Sequence, residues 1–133
     1  MNPRSILIVD DEANQRLMLE QALRALAFDW TISTAASGQE ALDALVLHLP
    51  DLIITDYHMP IMNGLELIAR VRERRIPSRI ILITAYSSPE LFDAAQQLQV
   101  DHYLTKPVPL TLLRRVASGA LEMTPEPLSG SEC

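Results

Sequence analysis

The chain has 133 residues, of which 48% are hydrophobic but only 5% aromatic, so one domain with an aliphatic core is expected. Its 17 acidic residues outnumber the 11 basic ones, and the formal net charge of −6 argues against direct binding to duplex nucleic acid, which requires an excess of cations. The single cysteine, Cys133, excludes an internal disulfide, and no apolar run approaches the ~20 residues of a membrane span. Together with an N-terminal stretch that lacks the apolar segment of a signal peptide, these features predict a cytoplasmic protein without direct contacts to nucleic acid or membrane.

Short apolar runs alternate with helical patterns, in which apolar residues recur at i, i+3, i+4 and i+7. Three of the runs are almost wholly aliphatic, as expected for strands covered on both faces, whereas the run that begins at Trp30 alternates as an edge strand does. The five runs are Ile6–Val9, Trp30–Thr34, Leu52–Thr55, Ile80–Ile83 and His102–Leu104. This alternation predicts an α/β fold, in which right-handed crossovers build a single doubly wound parallel sheet with helices on both faces.

Capping signals predict where several helices begin. A capping box precedes the second helix, a Ser-Pro pair the fourth and a proline the fifth; these residues are Ser37 with Glu40, Ser88 with Pro89, and Pro109. The third helix is expected from about Gly64 to Arg75, with the arginines at positions 70, 72, 74 and 75 on its solvent side.

Polar side chains follow four of the five runs, at the point where each run ends. Asp10 and Asp11 come after the first run, Asp56 after the third, Thr84 after the fourth, and Lys106, the only lysine, after the fifth. Because the carboxyl ends of parallel strands share one rim, where open α/β sheets bind ligands, we expect these five side chains to meet. Three carboxylates and an ammonium suit a divalent cation and a phosphoryl group.

Each of these residues also has an ordinary structural interpretation. The pair Asp10 and Asp11 can cap the first helix, Thr84 can simply continue a β-branched strand, and Lys106 can be a solvated surface lysine. The interpretation as a phosphoryl site therefore depends on whether the folded chain brings these side chains together.

Several segments carry a resemblance to a known family. The most specific ones are Ile6 to Glu12, Asp56 to Gly64, Thr84 to Ala85 and Tyr103 to Pro107. From Ser5 to about Leu121, the chain resembles the receiver domain of bacterial two-component response regulators. The resemblance implies a flavodoxin-like, five-stranded sheet of order 2-1-3-4-5, with residues 1–121 forming the receiver domain and residues 122–133 forming a disordered tail or the start of a linker.

The resemblance implies a site for Mg²⁺, or Mn²⁺, among the acidic residues. Asp11 and Asp56 would bind the ion directly, Asp10 would act mostly through water, and the backbone carbonyl of His58 would be a further ligand. Three neighbouring carboxylates repel one another, which raises their affinity for a cation and pushes the pKa of an uncompensated carboxyl upward.

The resemblance also implies that Asp56 accepts a phosphoryl group and becomes an acyl phosphate. Lys106 would contact that group, Thr84 would donate a hydroxyl to it, and Tyr103 would be the switching aromatic residue. Phosphorylation would then bias an existing two-state equilibrium on the face near the fourth and fifth strands. The Lys106–Pro107 peptide resembles the family's cis bond at this place.

The implied protein is a signalling switch and not an enzyme in the usual sense, because it would catalyse only its own phosphorylation and dephosphorylation. Its donor would be a phosphohistidine on a sensor histidine kinase or phosphotransfer protein, and an effector domain and a second copy of the chain are further expected partners. Two alternatives remain open. One is a phosphatase with a phospho-aspartate intermediate, which usually has a second acid where this chain has His58, and the other is a docking module with a vestigial acidic site.

Two features of the chain set it apart within the family it resembles. Gln99 and Val100 stand where many relatives have Gly-Ala, and a non-glycine residue in a left-handed C-cap costs about 1 kcal/mol. We therefore expect either that the fourth helix ends differently or that the switch face is looser. His58 and Tyr86 occupy positions that tune the lifetime of the phosphoryl group, and the bulky Tyr86 predicts slow hydrolysis.

Overall fold

The structure, a computed structural model, describes residues 4–25 and 30–122. Strands and helices alternate through this part of the chain. The strands are β1 (Arg4–Val9), β2 (Trp30–Ala35), β3 (Leu52–Asp56), β4 (Arg79–Thr84) and β5 (His102–Thr105). The helices are α1 (Ala13–Arg24), α2 (Gly38–Leu47), α3 (Gly64–Glu73), α4 (Pro89–Gln97) and α5 (Leu110–Glu122). None of these helices is long and apolar enough to cross a membrane.

The five strands form one parallel sheet in the order β2-β1-β3-β4-β5, which confirms the predicted fold. Because β1 lies between β2 and β3, Ile8 pairs with Thr34 on one side and with Ile54 on the other. The edge position of β2 explains its alternating sequence. Trp30 and Ile32 pack against one helix layer, while the residue between them is exposed.

Alternate residues of the central strands face opposite layers of helices. In β1, Ile6 and Ile8 pack with residues of α1 and α5, whereas Leu7 and Val9 pack with residues of α2, α3 and α4. In the part of the chain that the structure describes, the buried hydrophobic side chains are all aliphatic or methionine. The expected aliphatic core is thus confirmed, and the strands are held rigidly between two apolar layers.

The capping signals identify the helix starts only in part. Ser37 accepts a hydrogen bond from the Glu40 amide at 3.1 Å, but the Glu40 side chain accepts from the Ala36 amide at 2.9 Å, one residue earlier than a capping box requires. A complete capping box forms instead at α3, between Asn63 and Glu66. The sequence analysis missed it because Asn63 stands before a glycine, a combination that also has the composition of a turn.

Two predicted boundaries of helices shift by one or two residues. α3 ends at Glu73 rather than at Arg75. α5 begins at Leu110, because the carbonyl of Pro109 lies before the helix and accepts the first helical hydrogen bond from Leu113 at 3.0 Å. α5 continues to Glu122, and the expected tail beyond it lies outside the described residues.

α4 has defined caps at both ends. Ser88 accepts a hydrogen bond from the Leu91 amide at 3.1 Å, as predicted. At the other end, Gln99 adopts the left-handed conformation with φ of 61°, and the Val100 amide donates to Ala95 O at 3.1 Å, which closes a Schellman motif. The helix ends as it would with glycine, so the expectation of a different ending is wrong.

An arginine of α3 holds this strained helix end in place. Arg72 donates from Nε to Leu98 O and from Nη2 to Gln99 O, both at 2.9 Å, and from Nη1 to the carbonyls of Ile76 and Ser78 at 3.0 and 3.1 Å. Burial lowers the pKa of Arg72 from its usual value. The prediction that all four arginines of this region face solvent is wrong for Arg72, because its guanidinium donates to carbonyls at the end of α4 and in the segment between α3 and β4.

We expect Arg72→Met to lower the free energy of unfolding by about 2–4 kcal/mol, because methionine keeps an apolar stem but leaves these carbonyls without donors. The matched control is Arg70→Met on the exposed side of the same helix, which we expect to change the free energy by less than about 0.5 kcal/mol. Urea unfolding of both variants measures the difference. Equal effects of the two substitutions would show that the hydrogen bonds of Arg72 do not hold α4.

Candidate functional site

Parallel strands bring polar residues to one rim of the sheet. Asp56 and Thr84 are the last residues of β3 and β4, Asp10 follows β1, and Lys106 follows β5. Asp10 and Lys106 each extend the hydrogen-bonding of their strand by one residue, to Ala35 O at 3.1 Å and to Thr84 O at 2.8 Å. The main chain of the sheet therefore determines where each of these side chains begins.

Three carboxylates converge at this rim. Oxygen atoms of Asp10, Asp11 and Asp56 all lie within 4.8 Å of one another. Asp10 and Asp56 are buried, with 2% and 6% of their surface exposed, whereas Asp11 is exposed. Burial raises the pKa of Asp10 to about 6; the charges of Asp56 and Asp11 also raise it, against the opposing effects of the Glu12 amide and Lys106. The cluster thus holds negative charge that the chain compensates only partly.

Lys106 is the cation that contacts the Asp56 carboxylate. Its Nζ lies 2.8 Å from Asp56 Oδ1 and donates to Gln15 Oε1 at 3.2 Å. Asp56 Oδ2 accepts a hydrogen bond from the His58 amide at 3.1 Å. The buried Oδ1 contacts the ammonium but accepts no well-aligned hydrogen bond from any described residue. A buried carboxylate oxygen with spare acceptor capacity, next to two further carboxylates, fits a hard divalent cation.

His58 lies two residues after Asp56, at the mouth of the site. Its side chain is exposed and makes edge-to-face contacts with the rings of Tyr57 and Tyr86, at centroid distances of 4.8 and 5.4 Å. Its amide contacts the Asp56 carboxylate, whereas the ligand role of its carbonyl stays a prediction.

Thr84 and Tyr103 both contact the loop that follows β4. The buried Thr84 hydroxyl donates to Tyr86 O at 3.2 Å and accepts from the Tyr86 amide at 3.1 Å. The Tyr103 hydroxyl forms a hydrogen bond of 2.7 Å with Ser87 Oγ, and its ring packs edge-to-face on Phe92. In this conformation, the residues predicted to act as a switch are joined through one loop, and the Thr84 hydroxyl is bonded within that loop.

Three further residues shape the site, and the sequence analysis assigned them no role. Gln15 contacts the lysine, Arg16 Nη1 donates to Asp10 O at 2.7 Å, and Gly64 lies so close to Asp56 that an added Cβ would collide with its carbonyl oxygen. Gly64 ends the motif that begins at Asp56, so the sequence already marked this glycine as part of the site. For Gln15 and Arg16, only their place in the chain could have suggested a role in the site, because they lie in the first turn of the helix that follows the Asp pair.

A cleft of about 400 Å³ opens beside the Asp56–Lys106 pair. Residues of α1 and of the segment after β5 form its apolar wall: Met18, Leu19, Pro107, Val108 and Leu110. The Lys106–Pro107 peptide at its edge is cis. A ligand that enters the cleft therefore meets an apolar surface on one side and the charged group of the rim on the other.

Known proteins share this fold and these segments. The model of the response regulator receiver domain matches residues 6–118. The chain is 36% identical over 105 residues to the transcriptional regulatory protein PdtaR of Mycobacterium tuberculosis, a match that covers 79% of this chain and 50% of PdtaR. It is 39% identical over 126 residues to an uncharacterized 14.6 kDa protein of Leptolyngbya boryana, with 91% of this chain and 93% of that protein covered.

A solved structure gives the same relationship in three dimensions. The CheY-like response regulator receiver domain protein of Methanospirillum hungatei superposes with a TM-score of 0.84 at 26% identity, covering 91% of this chain and 95% of that one. The chain spans about half the length of the curated relative PdtaR, so the match concerns this domain and not the whole of that protein. Because the family model matches most of the sequence, the chain belongs to the receiver domains of response regulators, the signal-transducing modules of two-component systems.

Proposed function

We propose that the protein is a phosphorylation-activated switch that accepts a phosphoryl group on Asp56 from a phosphohistidine of a sensor histidine kinase or phosphotransfer protein. The observation that carries this proposal is the 2.8 Å contact between Lys106 Nζ and Asp56 Oδ1 within a cluster of three carboxylates. A purely structural ion pair would be weakened by two further acids that repel its carboxylate, whereas a phosphoryl site with a cation uses all of them.

The proposed reaction transfers a phosphoryl group between two side chains. A carboxylate oxygen of Asp56 forms an O–P bond as the N–P bond of the phosphohistidine breaks, and the leaving imidazole keeps the electron pair of that bond and takes up a proton. Lys106 is close enough to Asp56 to contact the phosphoryl oxygens, and Thr84 would supply a hydroxyl donor. In the hydrolysis that removes the group, water attacks phosphorus, the O–P bond to Asp56 breaks, and the free carboxylate and inorganic phosphate result.

Asp10, Asp11 and Asp56 would hold Mg²⁺, or Mn²⁺, with the carbonyl of His58 as a further ligand. All of these are oxygen donors, which hard cations prefer. When bound, such an ion neutralises negative charge around the phosphorus centre. The raised pKa of Asp10 supports this assignment, because it reflects burial together with repulsion inside the cluster.

The proposed switch operates through the loop that follows β4. Thr84 bonds the main chain of Tyr86, and Tyr103 bonds Ser87, so both side chains restrain the same loop. A phosphoryl group on Asp56 would compete for the Thr84 hydroxyl, draw the loop inward and release Tyr103 to rotate. The phosphoryl group would thereby shift an equilibrium between two arrangements of this face.

The protein would catalyse only its own phosphorylation and dephosphorylation, in the cytoplasm. A phosphatase is less well supported, because His58 occupies the position where such enzymes usually carry a second acid. A vestigial docking module would not need the contact between the buried Asp56 and the partly exposed Lys106. PdtaR is described as a transcriptional regulatory protein and extends well beyond the matched region, so we propose an effector domain as the downstream partner of this receiver. A second copy, bound through α4, β5 and α5, is a further proposed partner.

Incubation with Mg²⁺ and acetyl phosphate or phosphoramidate is expected to add one phosphate to the wild-type chain and none to Asp56→Asn, because asparagine lacks the nucleophilic carboxylate. Intact-mass spectrometry measures the adduct, which should survive acid and decay in alkali. Steady turnover of excess donor would instead identify a phosphatase. The absence of both an adduct and Mg²⁺ binding would identify a docking module.

Asp10→Asn is expected to stabilise the metal-free protein by about 1–3 kcal/mol at neutral pH. The pKa of Asp10 rises from 3.8 to about 6 on folding, so the folded state binds the proton more tightly than the unfolded state. Wild-type stability should therefore fall as the pH rises from about 4 to about 6, and the advantage of the variant should develop in the same window. Urea unfolding in EDTA across this range measures it, and an advantage independent of pH would contradict the assignment.

Tyr86→Ala is expected to shorten the lifetime of phosphorylated Asp56 several-fold, because we propose that the ring of Tyr86, which packs edge-to-face on His58, hinders the approach of the hydrolytic water. Tyr86→Phe keeps the ring and should keep the lifetime. Loss of the phosphate adduct with time, after removal of the donor, measures hydrolysis for the three proteins. Equal rates for wild type and Tyr86→Ala would refute the shielding role.

A further inference from the structure

Lys106 makes two polar contacts in the site, and only one of them is to Asp56. The second is to the side-chain amide of Gln15, at 3.2 Å from Nζ to Oε1. An ammonium can only donate hydrogen bonds, so the amide oxygen and not the amide nitrogen must face it. Gln15 thus offers the lysine an acceptor from α1, and both residues line the same cleft.

The position of Gln15 is fixed by the main chain of the first turn of α1. The next residue, Arg16, donates to Asp10 O at 2.7 Å and so ties this turn to the end of β1. The Glu12 amide donates to Asp10 Oδ1 at 3.0 Å and adds a second tie. Gln15 therefore projects from a segment that is anchored to the carboxylate cluster itself.

The chemistry of an amide suits the role of holding this lysine. A lysine side chain has a flexible stem of four carbons, and one carboxylate alone leaves its ammonium free to move around that contact. A carboxylate at position 15 would neutralise the ammonium and compete with Asp56 for it. A neutral amide oxygen restrains the ammonium while leaving its charge for the incoming phosphoryl group.

We propose that Gln15 is a positioning residue for phosphoryl transfer, which keeps the Lys106 ammonium over Asp56 by accepting a hydrogen bond from it. This proposal rests on the proposed function, since it assigns a role within the same site. Gln15 need not touch the phosphoryl group, and it acts through the lysine. Nothing in the motifs of the family resemblance assigns a role to this position.

Lys106 is the only lysine of the chain, which makes a direct spectroscopic test feasible. In the 133-residue chain labelled selectively with ¹³C- and ¹⁵N-lysine, the side chain of Lys106 gives a single set of NMR signals. We expect Gln15→Met to shift and narrow these signals, because the ammonium loses one of its two acceptors and moves more freely. The matched control is Gln21→Met, the same chemical change at an exposed position of α1, which should leave them in place. Unchanged lysine signals in Gln15→Met would overturn the proposal.

A kinetic measurement tests the consequence for the reaction. With phosphoramidate at saturating Mg²⁺, we expect Gln15→Met to slow phosphorylation of Asp56 by about three- to tenfold and Gln21→Met to leave it unchanged. The Kd for Mg²⁺ should stay within about twofold of wild type, whereas a general distortion of the carboxylate cluster would change it. In a Lys106→Met background, Gln15→Met should have no further effect.

Each outcome of the kinetic test decides the proposal. A wild-type rate in Gln15→Met, a changed Kd for Mg²⁺, or an equal loss of rate in the Lys106→Met background would overturn it. Failure of the proposed function gives a different result, because the wild-type chain itself would then form no adduct. Loss of the adduct in Asp56→Asn, with a normal rate in Gln15→Met, would reject only the role of Gln15.

Discussion

Three carboxylates repel one another at the rim of the sheet, and a single ammonium opposes this repulsion. The site depends on this electrostatic constraint. Asp10 and Asp56 cannot move apart to relieve it, because they stand at the ends of β1 and β3, which pair along their length. Val9 and Thr55, the residues just before them, are direct partners in the sheet. The apolar layers on both faces keep these strands from shifting. The negative charge therefore persists at the rim, where a cation and a phosphoryl group meet it.

The same rigidity limits where the protein can respond to a new charge. The Thr84 hydroxyl is the polar group of β4 next to the site, and its hydrogen bonds already go to the loop that follows. That loop leads into α4, whose far end is held by the hydrogen bonds of Arg72. A displacement that starts at Thr84 would therefore be taken up near the start of α4, where Tyr103 contacts Ser87, rather than by movement of the whole helix.

Two of the residues whose roles sequence reasoning missed have one property in common. Arg72 and Gln15 act through contacts with segments that are distant in the chain, at Leu98 and at Lys106. Neither has a local pattern that distinguishes it from an exposed residue of the same type. Asn63 differs from them, since its capping box with Glu66 is local, and a wider set of capping residues would have found it.

The amino-acid sequence by itself determined the class of fold and the identity of the rim residues. The spacing of apolar residues decides which faces are buried, and the alternation of strands and helices along the chain decides that the strands run parallel. The residues at or just after the ends of the strands therefore had to share one edge of the sheet; they come directly after Val9, Thr55, Ile83 and Thr105. Only the tertiary structure decided the distances at that edge, such as the 2.8 Å contact of Lys106 with Asp56, and the second acceptor at Gln15. It also decided that the Thr84 hydroxyl bonds its own loop. Periodicity depends on burial alone, whereas the direction of a polar side chain depends on competing partners that packing brings near it.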